Sequence, residues 1–248
     1  MVGSENGTQT IANYADRLQM FTITGDQVNS FLQGYLTCDC EALRAEPSNQ
    51  LMRMALCNLK GRVVCSGWAA QLSETKIGLV VHESLVGTVA AQLAPYARFH
   101  RCEIDTENAL DLFAVKADQV NLNSSNSFRT QDNRIALAAN SEGLAGDDLA
   151  IANYLLSEGF VVVTEESSAQ FLPQMLNLGQ TGAVDFNKGC YLGQEIVARA
   201  EHRGQVKRKL VQFSTEETTV TLGEPWADTD CVVYWDANSR RGMAVARS

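Results

Sequence analysis

Over the first hundred residues, apolar positions fall into runs of strand length interrupted by two stretches of helical period. Leu18 to Thr24 predicts a strand, after which Gly25 turns the chain into a short helix, Asp26 to Gln33, with Val28, Phe31 and Leu32 on one face and Gly34 as its stop. Thr24 and Gln27 have capping-box spacing at its start. Leu51 to Cys57 and Arg62 to Ala70 predict strands joined by the turn Asn58-Leu59-Lys60-Gly61, and Lys76 to Val81 predicts another. From Ser84 to Leu93, Val86, Val89 and Leu93 recur at helical spacing until Pro95 stops them, and a strand is expected from Phe99 to Ile104. Strand, helix, strands, helix, strand is the order of a ferredoxin-like α+β unit.

A weaker second round follows. Strands are expected near 109 to 116 and 133 to 138, a helix from Asp147 to Ser157 closed by Gly159, and a strand from Phe160 to Thr164, with Asn121 to Ser127 a polar linking loop. Beyond residue 205, Lys209 to Thr215, Thr218 to Leu222, Cys231 to Trp235 and Met243 to Ala246 are short apolar runs between turn residues, which predicts an all-β region with too few strands to close a barrel. The fold class expected is α+β, with two ferredoxin-like units in residues 1–205 and a β region in 206–248.

Composition narrows the function classes. The chain has 248 residues, is 45% hydrophobic and carries a formal charge of -9, so a globular core is expected and a general nucleic-acid binder is not, because covering phosphates needs a basic surface. Seven cysteines and the lack of a basic-then-apolar leader predict a reducing, cytoplasmic setting. No apolar run approaches the ~20 residues that span a bilayer, so no membrane partner is expected. Met1 to Thr10 is small and polar, and fraying is expected there.

One stretch concentrates the chemistry. Lys188-Gly189-Cys190-Tyr191-Leu192-Gly193-Gln194-Glu195 puts a thiol, an ammonium, a carboxamide, a carboxylate and two glycines into eight residues. Gln194 to Ala200 is helix-compatible, with Glu195 and Arg199 at ion-pair spacing, which sets Cys190 just outside a helix N-terminus. There, the unpaired amides and the nearby Lys188 would favour a thiolate. The competing reading is a tight turn with a small half-buried thiol.

The octapeptide resembles the signature of the YgfZ family, folate-binding proteins related to the aminomethyltransferase (T protein) of the glycine cleavage system. Phe171-Leu172-Pro173-Gln174, Asn177-Leu178, Ile196 to Ala200 and Arg203-Gly204 extend the likeness around it. Thr22 to Asp26, Phe31-Leu32-Gln33-Gly34 and Lys60-Gly61-Arg62 extend it toward the N-terminus. The resemblance implies a T-protein-like fold with a small C-terminal barrel, here shortened. It also implies tetrahydrofolate as ligand and a role in maintaining iron–sulfur enzymes, tRNA-modifying ones among them. On this reading Cys190 is nucleophile, redox thiol or transient metal ligand, and Lys188 holds the thiolate or an anionic ligand. Tyr191, Gln194, Glu195 and Arg199 line the cofactor side, with Gly189 and Gly193 allowing close backbone approach. Folate binders of the family are expected to use aromatic stacking, yet Trp68, Trp226 and Trp235 lie neither in the first strand nor in the 147–157 helix.

Two other classes remain open. A true aminomethyltransferase would move a one-carbon unit to tetrahydrofolate, but the T protein carries an acidic residue where Cys190 stands. A non-catalytic RNA or protein adaptor would use the basic cluster of His202, Arg203, Lys207, Arg208 and Lys209. Cys38-x-Cys40 has the spacing of a metal or redox pair, but with no CxxC and the other cysteines scattered, permanent metal ligation is not expected. His82, His100 and His202 form no metal-binding pattern, and no dinucleotide fingerprint, P-loop or nucleophile elbow is present.

Overall fold

A computed structural model describes residues 17–47, 49–120, 126–139, 146–204, 206–217 and 219–247, without the side chains of Gln119, Asp148 and Arg203. The expected fray at Met1 to Thr10 and most of the 121–127 loop lie outside the described residues. In chain order the elements are β1 (Leu18–Thr24), α1 (Val28–Gln33), α2 (Cys40–Leu43), β2 (Gln50–Cys57), β3 (Val63–Ser73), β4 (Lys76–His82), α3 (Val86–Ala97), β5 (Glu103–Lys116), β6 (Ser127–Thr130), β7 (Ile135–Ala139), α4 (Asp148–Glu158), α5 (Gln194–Arg203), β8 (Arg208–Ser214), β9 (Cys231–Asp236) and β10 (Arg241–Arg247).

The α+β expectation holds, and the strands of both rounds close into one barrel-like sheet in the order β1-β4-β3-β2-β6-β7-β5. The long strand β5 joins the rounds. It replaces the separate strands expected at 99–104 and 109–116, and its register on β1 shifts between Met20 and Thr22. Such an irregularity bends the strand, which lets its first half lie on β1 while its second half also pairs with β7. Phe99 is not in the strand, because Arg98–His100 forms a 3₁₀ turn and Arg101 takes a left-handed conformation at φ 51°.

Several local expectations give way to tertiary contacts. The capping box at Thr24 and Gln27 is not made: Gln27 is itself the N-cap of α1 and makes no side-chain capping bond. Helix α3 runs through Pro95 to Ala97, since a proline in the last turn removes only one late hydrogen bond. The 160–164 run is buried but joins no sheet. Ser66 on β3 takes the place of a ladder partner, donating its hydroxyl to Val161 O at 2.6 Å and accepting from Val163 N–H. Gly159 closes α4 as expected, at φ 60°.

The C-terminal region is all-β among the described residues, with β10 central in the order β8-β10-β9 and no strand at 218–222. Cys231, Val233, Met243 and Val245 on one face of this sheet belong to the main core. On the other face Phe213 stacks on Trp226 at 4.3 Å and Trp235 at 5.7 Å between ring centroids. Two of the three tryptophans are therefore committed to that stack. Trp68 alone lies within the main sheet, edge-on to Phe160 at 5.2 Å.

Six cysteines are buried and one, Cys190, is exposed. Burial pushes the thiols of Cys57 and Cys65 up from an ordinary value of 9.0 to about 12. A pKa raised by folding makes the folded state hold its proton longer than the unfolded one, so stability is complete below pH 9 and is lost as pH rises from there toward 12. At pH 10 each thiol removes about 1.4 kcal/mol. Denaturant melts at pH 8 and pH 10 should thus differ by about 3 kcal/mol, and a Cys57→Ala/Cys65→Ala variant should lose most of that difference.

Candidate functional site

Sequence pieces that lie far apart along the chain meet around residues 188–195. The amide of Leu192 donates to Gly34 O at 3.0 Å, which seats the motif against the end of α1. Thr37 ties the preceding segment down, its hydroxyl donating to Ala183 O and its carbonyl accepting from Asp185 N–H at 2.9 Å. On the far side Gln174 Nε2 donates to Val197 O at 2.9 Å, and Val63 N–H to Phe171 O at 2.8 Å. The FLQG, KGR and FLPQ pieces of the sequence thus form the bed of the KGCYLGQE segment.

The motif glycines divide into two kinds. Gly193, the N-cap of α5, sits at φ 82°, and a Cβ there would stand 2.4 Å from Asn58 O. Gly61 is also left-handed, and its Cβ would press on Ile196 at 3.0 Å. The β2–β3 turn and the start of α5 are consequently in backbone contact, and it is protein rather than ligand that approaches Gly193. Gly189 faces open space.

Lys188 is buried, and its ammonium donates to three carbonyls: Gln33 O at 2.9 Å, Leu36 O at 2.6 Å and Cys38 O at 2.6 Å. An ammonium has three N–H donors, so all of them are used on the end of α1 and the turn after it. None of these three bonds goes to Cys190. Burial pulls the Lys188 pKa down, and the neighbouring Cys40, Cys38, Asp39 and Asp185 oppose that shift. The ammonium also lies 5.5 Å from the ring centroid of Tyr191.

Cys190 is exposed, and helix α5 starts only at Gln194, so the Tyr191–Gly193 turn intervenes between the thiol and the helix. Tyr191 is buried, with desolvation raising its pKa, and its hydroxyl has no hydrogen-bond partner among the described residues. Glu195 and Arg199 do pair, at 2.7 Å, but both are largely in solvent, where such a pair contributes a few tenths of a kcal/mol. In the basic cluster, Arg208 is paired with Asp230 at 2.7 Å while His202 and Lys209 are exposed. No group of three or more His, Cys, Asp or Glu among the described residues is arranged to hold a metal ion. No described helix is long and apolar enough to cross a membrane.

A second feature was not singled out in the sequence. A cavity of about 220 Å³ lies between β2, β3, the β6–β7 turn and α4, with Arg53, Trp68, Asp132, Tyr154 and Glu158 in its wall. Arg53 donates to Thr181 O at 2.8 Å, Tyr154 Oη at 2.6 Å and Glu158 Oε2 at 3.0 Å, and so links this wall to the segment leading into the motif. Its guanidinium lies 5.4 Å from the Tyr154 ring centroid and 5.2 Å from that of Phe160. Trp68 is fully buried, and its Nε1–H has no partner among the described residues. Such a buried, unanswered donor carries a penalty of about 1–3 kcal/mol. The signal in the sequence was Arg53 itself, a charge inside the otherwise apolar strand Leu51 to Cys57.

No family model matches the sequence. Curated relatives named tRNA-modifying protein YgfZ do. That of Cronobacter sakazakii is 29% identical over 86% of this chain and 76% of its own length. That of Yersinia pestis is 27% identical over 88% and 78%, and that of Colwellia psychrerythraea 25% identical over 85% and 72%. Among solved structures, the glycine cleavage system aminomethyltransferase T of Bartonella henselae superposes with a TM-score of 0.64 at 16% identity, covering 94% of this chain and 77% of that one.

Proposed function

Homology to the YgfZ proteins, on the fold of the glycine cleavage aminomethyltransferase, is the premise from which we propose that this chain binds reduced folate and supports iron–sulfur enzymes, tRNA-modifying ones among them, through the thiol of Cys190. The observation that carries the reading is the convergence of the dispersed motif pieces on one segment whose only thiol is exposed. A thiol that served packing alone would be buried like the other six. Cys190 is the group free to meet a partner's thiol, cluster or electrophile, while the Lys188 cage fixes the backbone that presents it.

The chain's residues fit a pterin. The orphaned Trp68 Nε1–H needs an acceptor, and pterin ring nitrogens and the 4-oxo group are acceptors. Asp132 would take up donors of its amino-amide edge, and Tyr154, whose hydroxyl burial keeps protonated, walls the cavity. At about 220 Å³ the space is below that of pockets enclosing drug-sized ligands, so it suits the bicyclic head, with the tail outside. Trp68, Arg53 and Tyr154 supply the aromatic and polar grip that the first strand and the 147–157 helix lack as tryptophan. Bound there, tetrahydrofolate would offer one-carbon or redox chemistry of its own.

The test separates the two halves. Calorimetric titration with tetrahydrofolate should show binding to wild type and to Cys190→Ala alike, and about tenfold weaker binding to Trp68→Phe, which keeps a ring but loses the donor. In cells lacking the endogenous protein, Cys190→Ala should fold within about 0.5 kcal/mol of wild type and yet fail to restore iron–sulfur enzyme activity. Full restoration by Cys190→Ala would move the chain to the adaptor class. Unchanged affinity in Trp68→Phe would place folate elsewhere.

A further inference from the structure

Cys38 and Cys40 flank Asp39, the N-cap of α2, and neither thiol is used by the function proposed above. Both are buried, and Cys40 Sγ lies 3.9 Å from Cys38 O. The turn is held on every side. Cys40 N–H donates to Gln33 Oε1 at 2.7 Å, Asp39 Oδ1 accepts from Glu41 N–H and Ala42 N–H, and Cys38 O is one of the three carbonyls around Lys188. The pair is asymmetric as well. The neighbouring Cys40 thiol lowers the Cys38 pKa against the effect of burial, with the Lys188 ammonium helping, whereas Cys40 is raised well above the ordinary thiol value.

We propose that Cys38 and Cys40 are an oxidisable dithiol, closed to a disulfide by hydrogen peroxide, and that closure releases the Lys188-held motif segment. Peroxide is the oxidant because both sulfurs are buried and a peptide disulfide is too large to reach them in line. Cys38, as thiolate, attacks one peroxide oxygen; the O–O bond breaks, and the departing hydroxide takes a proton to leave as water, giving a sulfenic acid. The Cys40 sulfur then attacks the Cys38 sulfur, the S–O bond breaks, and the hydroxide leaves as a second water with the Cys40 proton. Two thiols lose two electrons in all and one peroxide is reduced to two waters. A disulfide requires sulfurs about 2.05 Å apart with Cβ atoms at roughly 3.5–4.5 Å. Across a single intervening residue that turns the Cys38–Asp39 peptide and swings Cys38 O off Lys188.

The experiment uses the full chain carrying Cys190→Ser, so that the exposed thiol does not report. After peroxide treatment, alkylation in denaturant and trypsin digestion, the peptide Leu18–Arg44 contains only these two cysteines and should carry no alkyl groups, regaining two after reduction. Brief native trypsin treatment should cut after Lys188 at least tenfold faster in the oxidised protein, because Lys188 is now buried. Cys38→Ser should abolish both effects. Two alkyl groups on that peptide, after a peroxide dose that oxidises Cys190 in wild type, would overturn the proposal. A disulfide without faster cutting at Lys188 would overturn its coupling to the motif.

Discussion

Replacing Lys188 by alanine should destabilise the protein by about 3–5 kcal/mol, read as a lowered denaturant midpoint at unchanged slope. The variant strands the carbonyls of Gln33, Leu36 and Cys38, which now share one ammonium, and an unsatisfied buried acceptor costs about 1–3 kcal/mol. Water entering the vacated space recovers part of the sum. That loss is a large fraction of the 5–15 kcal/mol that holds an ordinary domain together. Lys188→Arg should not restore stability, because a planar guanidinium cannot aim three donors at carbonyls gathered around a single nitrogen. If the chief task of Lys188 were to hold a thiolate or an anionic ligand, alanine would leave the melt within about 0.5 kcal/mol of wild type. Loss of folate binding or of cellular activity in this variant therefore has to be read beside its melt.

Gly193→Ala should cost about 3 kcal/mol, and Gly189→Ala, four residues away in the same motif, less than about 0.5 kcal/mol. At φ 82° Gly193 already stands where an L side chain is strained by about 1–2 kcal/mol. Its Cβ would in addition be 2.4 Å from Asn58 O, a backbone atom of a tight turn that cannot rotate away. Gly189 has nothing within 4 Å of its would-be Cβ. Comparable melts for the two variants would mean that the β2–β3 turn yields to α5, and that the motif's second glycine has another purpose.

The chain by itself determined which segments are strands and helices wherever the pattern was long and regular. β1 and the 58–61 turn follow the period of their own side chains, and so does the stop of α4 at Gly159. The chain also determined that a thiol, an ammonium, a carboxamide and a carboxylate stand together at 188–195, since that is a matter of which groups are neighbours along the backbone. Contacts between distant residues decided the rest. One shifted register on β1 let β5 bridge both strand sets and close a single sheet. One hydroxyl, Ser66, tied 160–164 to β3 without a ladder. The role of Lys188 was illegible because a lysine beside a cysteine looks the same whichever way its donors point, and here they reach carbonyls 150 to 155 residues away. The cavity at Trp68 was hidden for the same reason. An indole N–H becomes an unanswered donor only once β2, β3 and α4 have packed around it and excluded water.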